Sequence, residues 1–234
     1  GLRHGFRLQS GLNPGHRIGL LLSRVAFPYS LVASFDDLAI PFRCVATDLE
    51  TGEAVILDRG PLGPALRASM ALPGTFDPVR LEGRLLSDGG ILNNVPVDVA
   101  RAMGASVVIA VSVSDLEPGP PAETIGAVAN RAIDLMMADL DKPRLREADL
   151  VILPDLSGFG SSDYRKSDEI VARGYAAAEV LAASLLPHAL DESAWAAYAS
   201  VVRARREPRN GPVSFVEVSG VSPAAADQIA GRFD

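Results

Sequence analysis

Five consecutive apolar residues, Val107-Val108-Ile109-Ala110-Val111, restrict the fold more than any other stretch of this chain. A half-exposed strand alternates polar and apolar side chains, so a run that is apolar throughout predicts a strand covered on both faces. Such strands are central and parallel, and parallel neighbours are joined by crossover helices. Ser106 to Val113 therefore reads as a central parallel strand. Val95 to Met103 before it reads as a helix stopped at Gly104. Ala122 to Leu140 after it reads as a long helix, with Ile125, Val128, Ala132, Leu135 and Met136 on one apolar side.

The remaining segments continue the alternation. Ile40 to Thr47 reads as a strand, with Ala54 to Leu57 as its hairpin partner across Glu50-Thr51-Gly52-Glu53. Leu62 to Leu72 has helical composition and ends at Pro73-Gly74. Arg84 to Ser87 is a short strand running into Asp88-Gly89-Gly90. Leu150 to Leu153 is another, closed by Pro154 and followed by a polar loop from Asp155 to Asp163. Helical pattern resumes at Asp168, and Pro187 interrupts it before Ala194 to Arg205. Helices and strands alternating through short connections predict an α/β fold, a three-layer α/β/α sandwich. At residues 207–212 two prolines, a glycine and an asparagine mark a linker. Val213 to Val218 then reads as a strand and Pro223 to Ile229 as a helix. The expected division is residues 1–207 and 208–234, the second being the opening of another domain.

Composition removes several function classes. The chain has 234 residues, 48% apolar and 22% charged, with mean hydropathy +0.19, which describes a folded protein and not a disordered tail. Its 22 basic and 29 acidic side chains leave a net charge of -7 and a pI near 5.0, against general nucleic-acid binding. The local basic cluster Arg203, Arg205, Arg206 and Arg209 reads as solvation. One cysteine, Cys44, excludes an intrachain disulfide and a cysteine zinc site. No apolar stretch approaches the ~20 residues of a spanning helix, and no basic amphipathic helix announces membrane contact. The chain shows no signal peptide and begins Gly1-Leu2-Arg3-His4, without an initiator Met. It reads as truncated at its N-terminus.

The usual chemical constellations are mostly missing. His4, His16 and His188 are far apart, so no metal is expected, and no Walker-type loop suggests a phosphate cofactor. The loop Gly158-Phe159-Gly160-Ser161-Ser162-Asp163 lacks the third glycine of a dinucleotide fingerprint, which leaves a Rossmann-like nucleotide binder without its motif. No Gly-x-Ser-x-Gly occurs. Ser69 lies within a helical pattern and reads as structural. Asp88 has two readings: a hairpin turn, because Asp-Gly is a favoured turn pair, or a carboxylate at a strand end, where α/β folds place ligands. In the second, Gly89 and Gly90 let a substrate or loop approach the backbone. Asn93 and Asn94 either hold that loop or cap the helix beginning near Val95; capping is the expected role.

A family resemblance bears on Asp88. Residues 68–79 (Ala-Ser-Met-Ala-Leu-Pro-Gly-Thr-Phe-Asp-Pro-Val), Leu86-Ser87-Asp88-Gly89-Gly90 and Asn93-Asn94-Val95-Pro96-Val97 closely resemble patatin-like phospholipases. So do residues 41–49 (Pro-Phe-Arg-Cys-Val-Ala-Thr-Asp-Leu) and 102–111 (Ala-Met-Gly-Ala-Ser-Val-Val-Ile-Ala-Val), in a match spanning roughly Gly5 to Tyr175. The resemblance implies a serine lipid-ester hydrolase with a Ser–Asp dyad, in which Asp88 is the base, with no cofactor. The family's glycine-rich oxyanion loop and its Gly-x-Ser-x-Gly lie N-terminal to the matched blocks, and neither occurs in this sequence. The chain is thus expected to be the C-terminal part of a patatin-like domain and inactive alone. A non-catalytic binding or secretion module of the same fold is the alternative.

The resemblance implies a lipid or small-ester substrate and contact with a membrane surface. Met70, Leu72, Phe76 and Ile91 read as core, with an acyl pocket as the other reading. Pro212 to Gly220 and the helix after it resemble the opening of a POTRA module, which some bacterial patatin-like proteins carry ahead of an outer-membrane barrel. That reading implies a periplasmic, outer-membrane or secreted parent. An extra edge strand and terminal helix, in a cytoplasmic protein, is the other.

Overall fold

The computed structural model describes residues 11–13, 15–113, 124–159 and 163–206. The linker at 207–212, the strand expected at 213–218 and the helix at 223–229 lie outside them. So do residues 122–123 of the long helix and 160–162 of the polar loop.

In chain order the elements are β1 (Gly11–Asn13), α1 (His16–Ala26), β2 (Cys44–Asp48), β3 (Ala54–Leu57), α2 (Leu62–Ser69), β4 (Gly74–Phe76), β5 (Val79–Leu81) and β6 (Arg84–Asp88). There follow α3 (Gly90–Asn93), α4 (Val97–Ala102), β7 (Ile109–Val111), α5 (Ile125–Leu145), β8 (Leu150–Ile152), α6 (Ser167–Val180), α7 (Ala182–Leu185) and α8 (Glu192–Arg206). The fold is mixed α/β, in keeping with the α/β/α class expected. Its largest sheet is antiparallel, in the order β3-β2-β6-β5, and two parallel pairs, β1-β4 and β7-β8, stand beside it.

Two turns set that sheet. Between β2 and β3, the Asp48 carboxylate accepts the Glu50 N–H at 2.9 Å while Gly52 turns the chain at φ +74°. Between β5 and β6, Glu82 (φ +51°) and Gly83 (φ +81°) are both left-handed, as a two-residue hairpin on right-twisted strands requires. Helix α2 lies against the sheet through Ala65 and Ala68, which pack with Phe35, Ala46, Leu57 and Leu86. Alanines at the contact let the helix sit close to the strands.

Several boundaries differ from expectation. The strand expected from Ile40, β2, begins at Cys44, because Pro41 has no N–H to donate and the Phe42 N–H turns back to the Phe35 carbonyl at 3.2 Å. Helix α2 ends at Ser69, three residues before Leu72, and α4 covers only Val97–Ala102. The break after α6 comes at Leu181, ahead of Pro187.

Two larger expectations are corrected. The expected central strand spans Ile109–Val111 alone, pairing only with β8 among the described residues. Val108 and Ala110 are buried, whereas Ile109 and Val111 are 44% and 56% exposed, so one face is open. Helix α5 also turns the other way: Val128, Leu135 and Met136 point outward, and Ala138 and Asp141 are buried. A hydrogen bond from Asn94 to Asp141 pins that side of α5 inward, and the apolar stripe is left outside.

Sequence reading found no element before Ile40, yet α1 occupies this region and packs on α2. The chains approach so closely there that a Cβ on Gly63 would lie 3.0 Å from the Ser23 Cα.

Candidate active site

Asp88 is the last residue of β6, paired across the sheet with Ala46 of β2. Its backbone is held on two sides. The N–H donates to the Ala71 carbonyl at 3.0 Å, and the carbonyl accepts the Thr47 hydroxyl at 2.8 Å. Ser87 beside it donates to the same Ala71 carbonyl at 2.7 Å. The strand end is thus fixed by β2 and by the segment leaving α2.

The Asp-Gly-Gly sequence does not make a hairpin. Gly89 has φ -69°, a right-handed helical value, and the strand runs directly into α3. The reason for glycine is space: a Cβ on Gly89 would collide with the Val45 carbonyl of β2, which is backbone and cannot swing aside. At Gly90 a Cβ would stand 2.6 Å from the Met137 Cε of α5 and 3.1 Å from the Asp88 carboxylate. The Gly90 N–H donates to Asp88 Oδ1 at 2.7 Å, which orients the carboxylate over the strand-to-helix junction.

Burial pushes the Asp88 carboxyl above its usual range, and the Gly90 N–H opposes this by favouring the ionised form. No basic side chain pairs with Asp88 among the described residues. An unpaired, partly desolvated carboxylate at a strand end is chemically a proton acceptor.

Asn93 and Asn94 do not cap α4, whose N-cap residue is Pro96 with no side-chain cap bond. Both hold the loop instead. Asn93 is buried and donates to Asp98 at 2.9 Å, and Asn94 donates to the buried Asp141 of α5 at 2.9 Å. The structure therefore gathers Asp88, Gly89, Gly90, Asn93 and Asn94 into one junction tied to β2, α4 and α5. Sequence reasoning missed Thr47, Asp98 and Asp141, which complete it. Nothing in their spacing marks them, because their partners lie five to 47 residues away.

Ser69 closes α2 next to this junction. Its carbonyl accepts the Gly89 N–H at 3.4 Å, and its hydroxyl is hydrogen-bonded to the Cys44 thiol. Burial pushes the Cys44 thiol up to about 11, so it is no nucleophile at neutral pH. Met70, Leu72, Phe76 and Ile91 are half-buried, neither full core nor an open pocket. Two hollows, of about 200 and 480 Å³, lie away from Asp88. The larger is bordered by α1 and by Arg67, whose guanidinium stands 5.0 Å over the Phe76 ring.

The part of the chain that carries Asp88 is similar to known proteins. Residues 2–101 match the patatin-like phospholipase family. An uncharacterized NTE family protein of Mycobacterium tuberculosis is 46% identical over 87 residues, 37% of this chain and 24% of that protein. Patatin-like phospholipase domain-containing protein 7 of Rattus norvegicus is 44% identical over 80 residues, 33% of this chain and 6% of that protein. Lysophospholipase nte1 of Aspergillus niger is 28% identical over 171 residues, 62% of this chain and 11% of that protein. The chain thus spans a quarter or less of the length of these relatives. Residues 2–101, which include Asp88, Gly89, Gly90, Asn93 and Asn94, are thus similar to the patatin-like phospholipase family.

Proposed function

We propose that residues 1–207 are the aspartate-bearing part of a lipid acyl-ester hydrolase, and that Asp88 is its general base. A serine outside this sequence, in a Gly-x-Ser-x-Gly turn, is the nucleophile in this reading. Its Oγ attacks the ester carbonyl as its proton passes to Asp88. The tetrahedral oxyanion then collapses to an acyl-serine, and the leaving alcohol takes the proton back from Asp88. Water repeats the sequence with the acyl-serine, releasing the fatty acid and restoring both residues. The observation that carries the reading is the half-buried Asp88 carboxylate, raised in pKa, unpaired by any basic side chain among the described residues, and clamped at a strand end. A lysophospholipase and phospholipase-domain proteins among the relatives support a lipid ester as substrate.

The test has two arms. In the full reading frame, Asp88→Asn should lower lysophospholipid hydrolysis by about 10²- to 10⁴-fold, the range of a lost general base. Undiminished hydrolysis by the full-frame Asp88→Asn variant overturns the role. The 234-residue chain alone should show no esterase activity above its own Asp88→Ala variant. Activity above that control overturns the assignment of the nucleophile to residues outside the chain.

A further inference from the structure

We propose that the outer face of α1, continued through Phe27 and Leu31, lies flat on an anionic lipid bilayer. The inference rests on the lipid-hydrolase reading for its choice of a bilayer over a polypeptide, but its site is separate from Asp88.

Helix α1 is apolar on both sides. Ile18, Leu22 and Ala26 face inward, with Ala26 buried. At 100° per residue, Arg17, Leu20, Leu21, Arg24 and Val25 share the opposite side within about 140° of arc. Leu20 is 72% exposed, and Leu21 and Val25 are also exposed. The chain leaves the helix with Phe27 and Leu31 equally open to solvent. A surface helix with a polar outer face needs no cover; one with leucines there does.

Charge selects the cover. The first 35 residues hold four arginines and no Asp or Glu, although the chain as a whole is acidic. Neither Arg17 nor Arg24 forms an ion pair among the described residues. The carboxylate in the adjoining hollow, Asp77, is already engaged with Arg67. Arginines interleaved with leucines on an in-plane helix suit a negative lipid surface: the side chains enter the acyl boundary while the guanidinium groups stay at the phosphates. Among the described residues no single helix is long and apolar enough to cross a membrane. Helix α1 has 11 residues, too few to cross a bilayer, so contact through it is of the lying-on kind.

Flotation of the 234-residue chain with vesicles tests this directly. The chain should float with phosphatidylcholine vesicles containing phosphatidylglycerol, at least about tenfold more tightly than with phosphatidylcholine alone, and high salt should release it. Arg17→Glu/Arg24→Glu should abolish binding, and Leu20→Ser/Leu31→Ser should weaken it about tenfold or more, both with unchanged circular dichroism. Asp88→Asn should bind like the parent, so a failed general-base assignment leaves this result intact. No flotation with either vesicle, or flotation indifferent to both double variants, overturns the proposal. So does a dimer that Leu20→Ser/Leu31→Ser converts to monomer without any vesicle binding, which assigns the face to a second copy.

Discussion

Asp88 carries a free-energy conflict that can be measured without any substrate. Burial raises its folded pKa above the unfolded value of about 3.9, so the folded state prefers the protonated carboxyl. That preference is full below the unfolded pKa and is lost as pH rises through the folded pKa. At pH 7 the ionised Asp88 therefore costs stability. Asp88→Asn keeps an acceptor for the Gly90 N–H and removes the partly desolvated charge. It should raise the urea midpoint at pH 7, by an amount that shrinks as pH falls toward 4; a lower midpoint at pH 7 contradicts the desolvated site. In the full-frame enzyme the same shift places the acid limb of the kcat/KM profile above the usual carboxylate range, because the base must be ionised to act. Cys44 gives a second reading of this neighbourhood. With its thiol near 11, about one molecule in a thousand is thiolate at pH 8, so a disulfide reagent should leave native Cys44 almost untouched and modify it fully in guanidinium. Fast native labelling contradicts the burial. Asp88 itself was legible from a strand running into Asp-Gly-Gly together with the family resemblance. The functions of Asn93 and Asn94 were not, because an asparagine ahead of a helix satisfies the capping pattern equally well, and only Asp98 and Asp141 in space decide otherwise.

At the scale of elements, the β6–α3 junction depends on two adjacent glycines for different reasons. A methyl on Gly89 meets the Val45 carbonyl, part of the β2 backbone, and relief requires moving a strand; one on Gly90 meets the end of the Met137 side chain, which can swing away. Gly89→Ala should therefore destabilise by at least about 1–3 kcal/mol, the usual overpacking cost, and Gly90→Ala by less. Met137→Ala should restore part of the second loss and none of the first, as read by thermal or urea unfolding. Equal losses, or rescue of Gly89→Ala, would contradict this geometry. Leu86, two residues before Asp88 and 1% exposed, anchors the same strand, and Leu86→Ala should cost about 2–5 kcal/mol. The strands Ala54–Leu57, Arg84–Asp88 and Leu150–Ile152 were readable to within a residue, since each is a short apolar run with a turn or proline at its edge. Helix α1 and strands β1, β4 and β5 were not read. All three strands are three residues long, and β1 and β4 take their register from each other far along the chain, as in Gly11 against Gly74.

Over the whole molecule, periodicity showed which residues are apolar but not which apolar faces the chain covers. The run Val107–Val111 has the composition of a strand buried on both sides, and α5 has a stripe of helical period; each leaves that surface open among the described residues. The summed charge misleads in the same way, because a net -7 hides an acid-free first 35 residues. The open β7 face makes the last prediction. Val107, Ile109, Val111 and Val113 are 37% to 64% exposed on alternate positions, whereas Val108, Ala110 and Ser112 are buried. A contiguous apolar row of this kind binds a hydrophobic dye such as anilinonaphthalene sulfonate without any unfolding. The isolated chain should enhance the dye's fluorescence. Ile109→Lys/Val111→Lys should cut that signal while leaving helix content and the urea midpoint unchanged, since both side chains already face water. A lower midpoint in the lysine variant would mean that the row is covered in solution. In that case Ser106–Val113 would be the two-sided central strand that its sequence predicts.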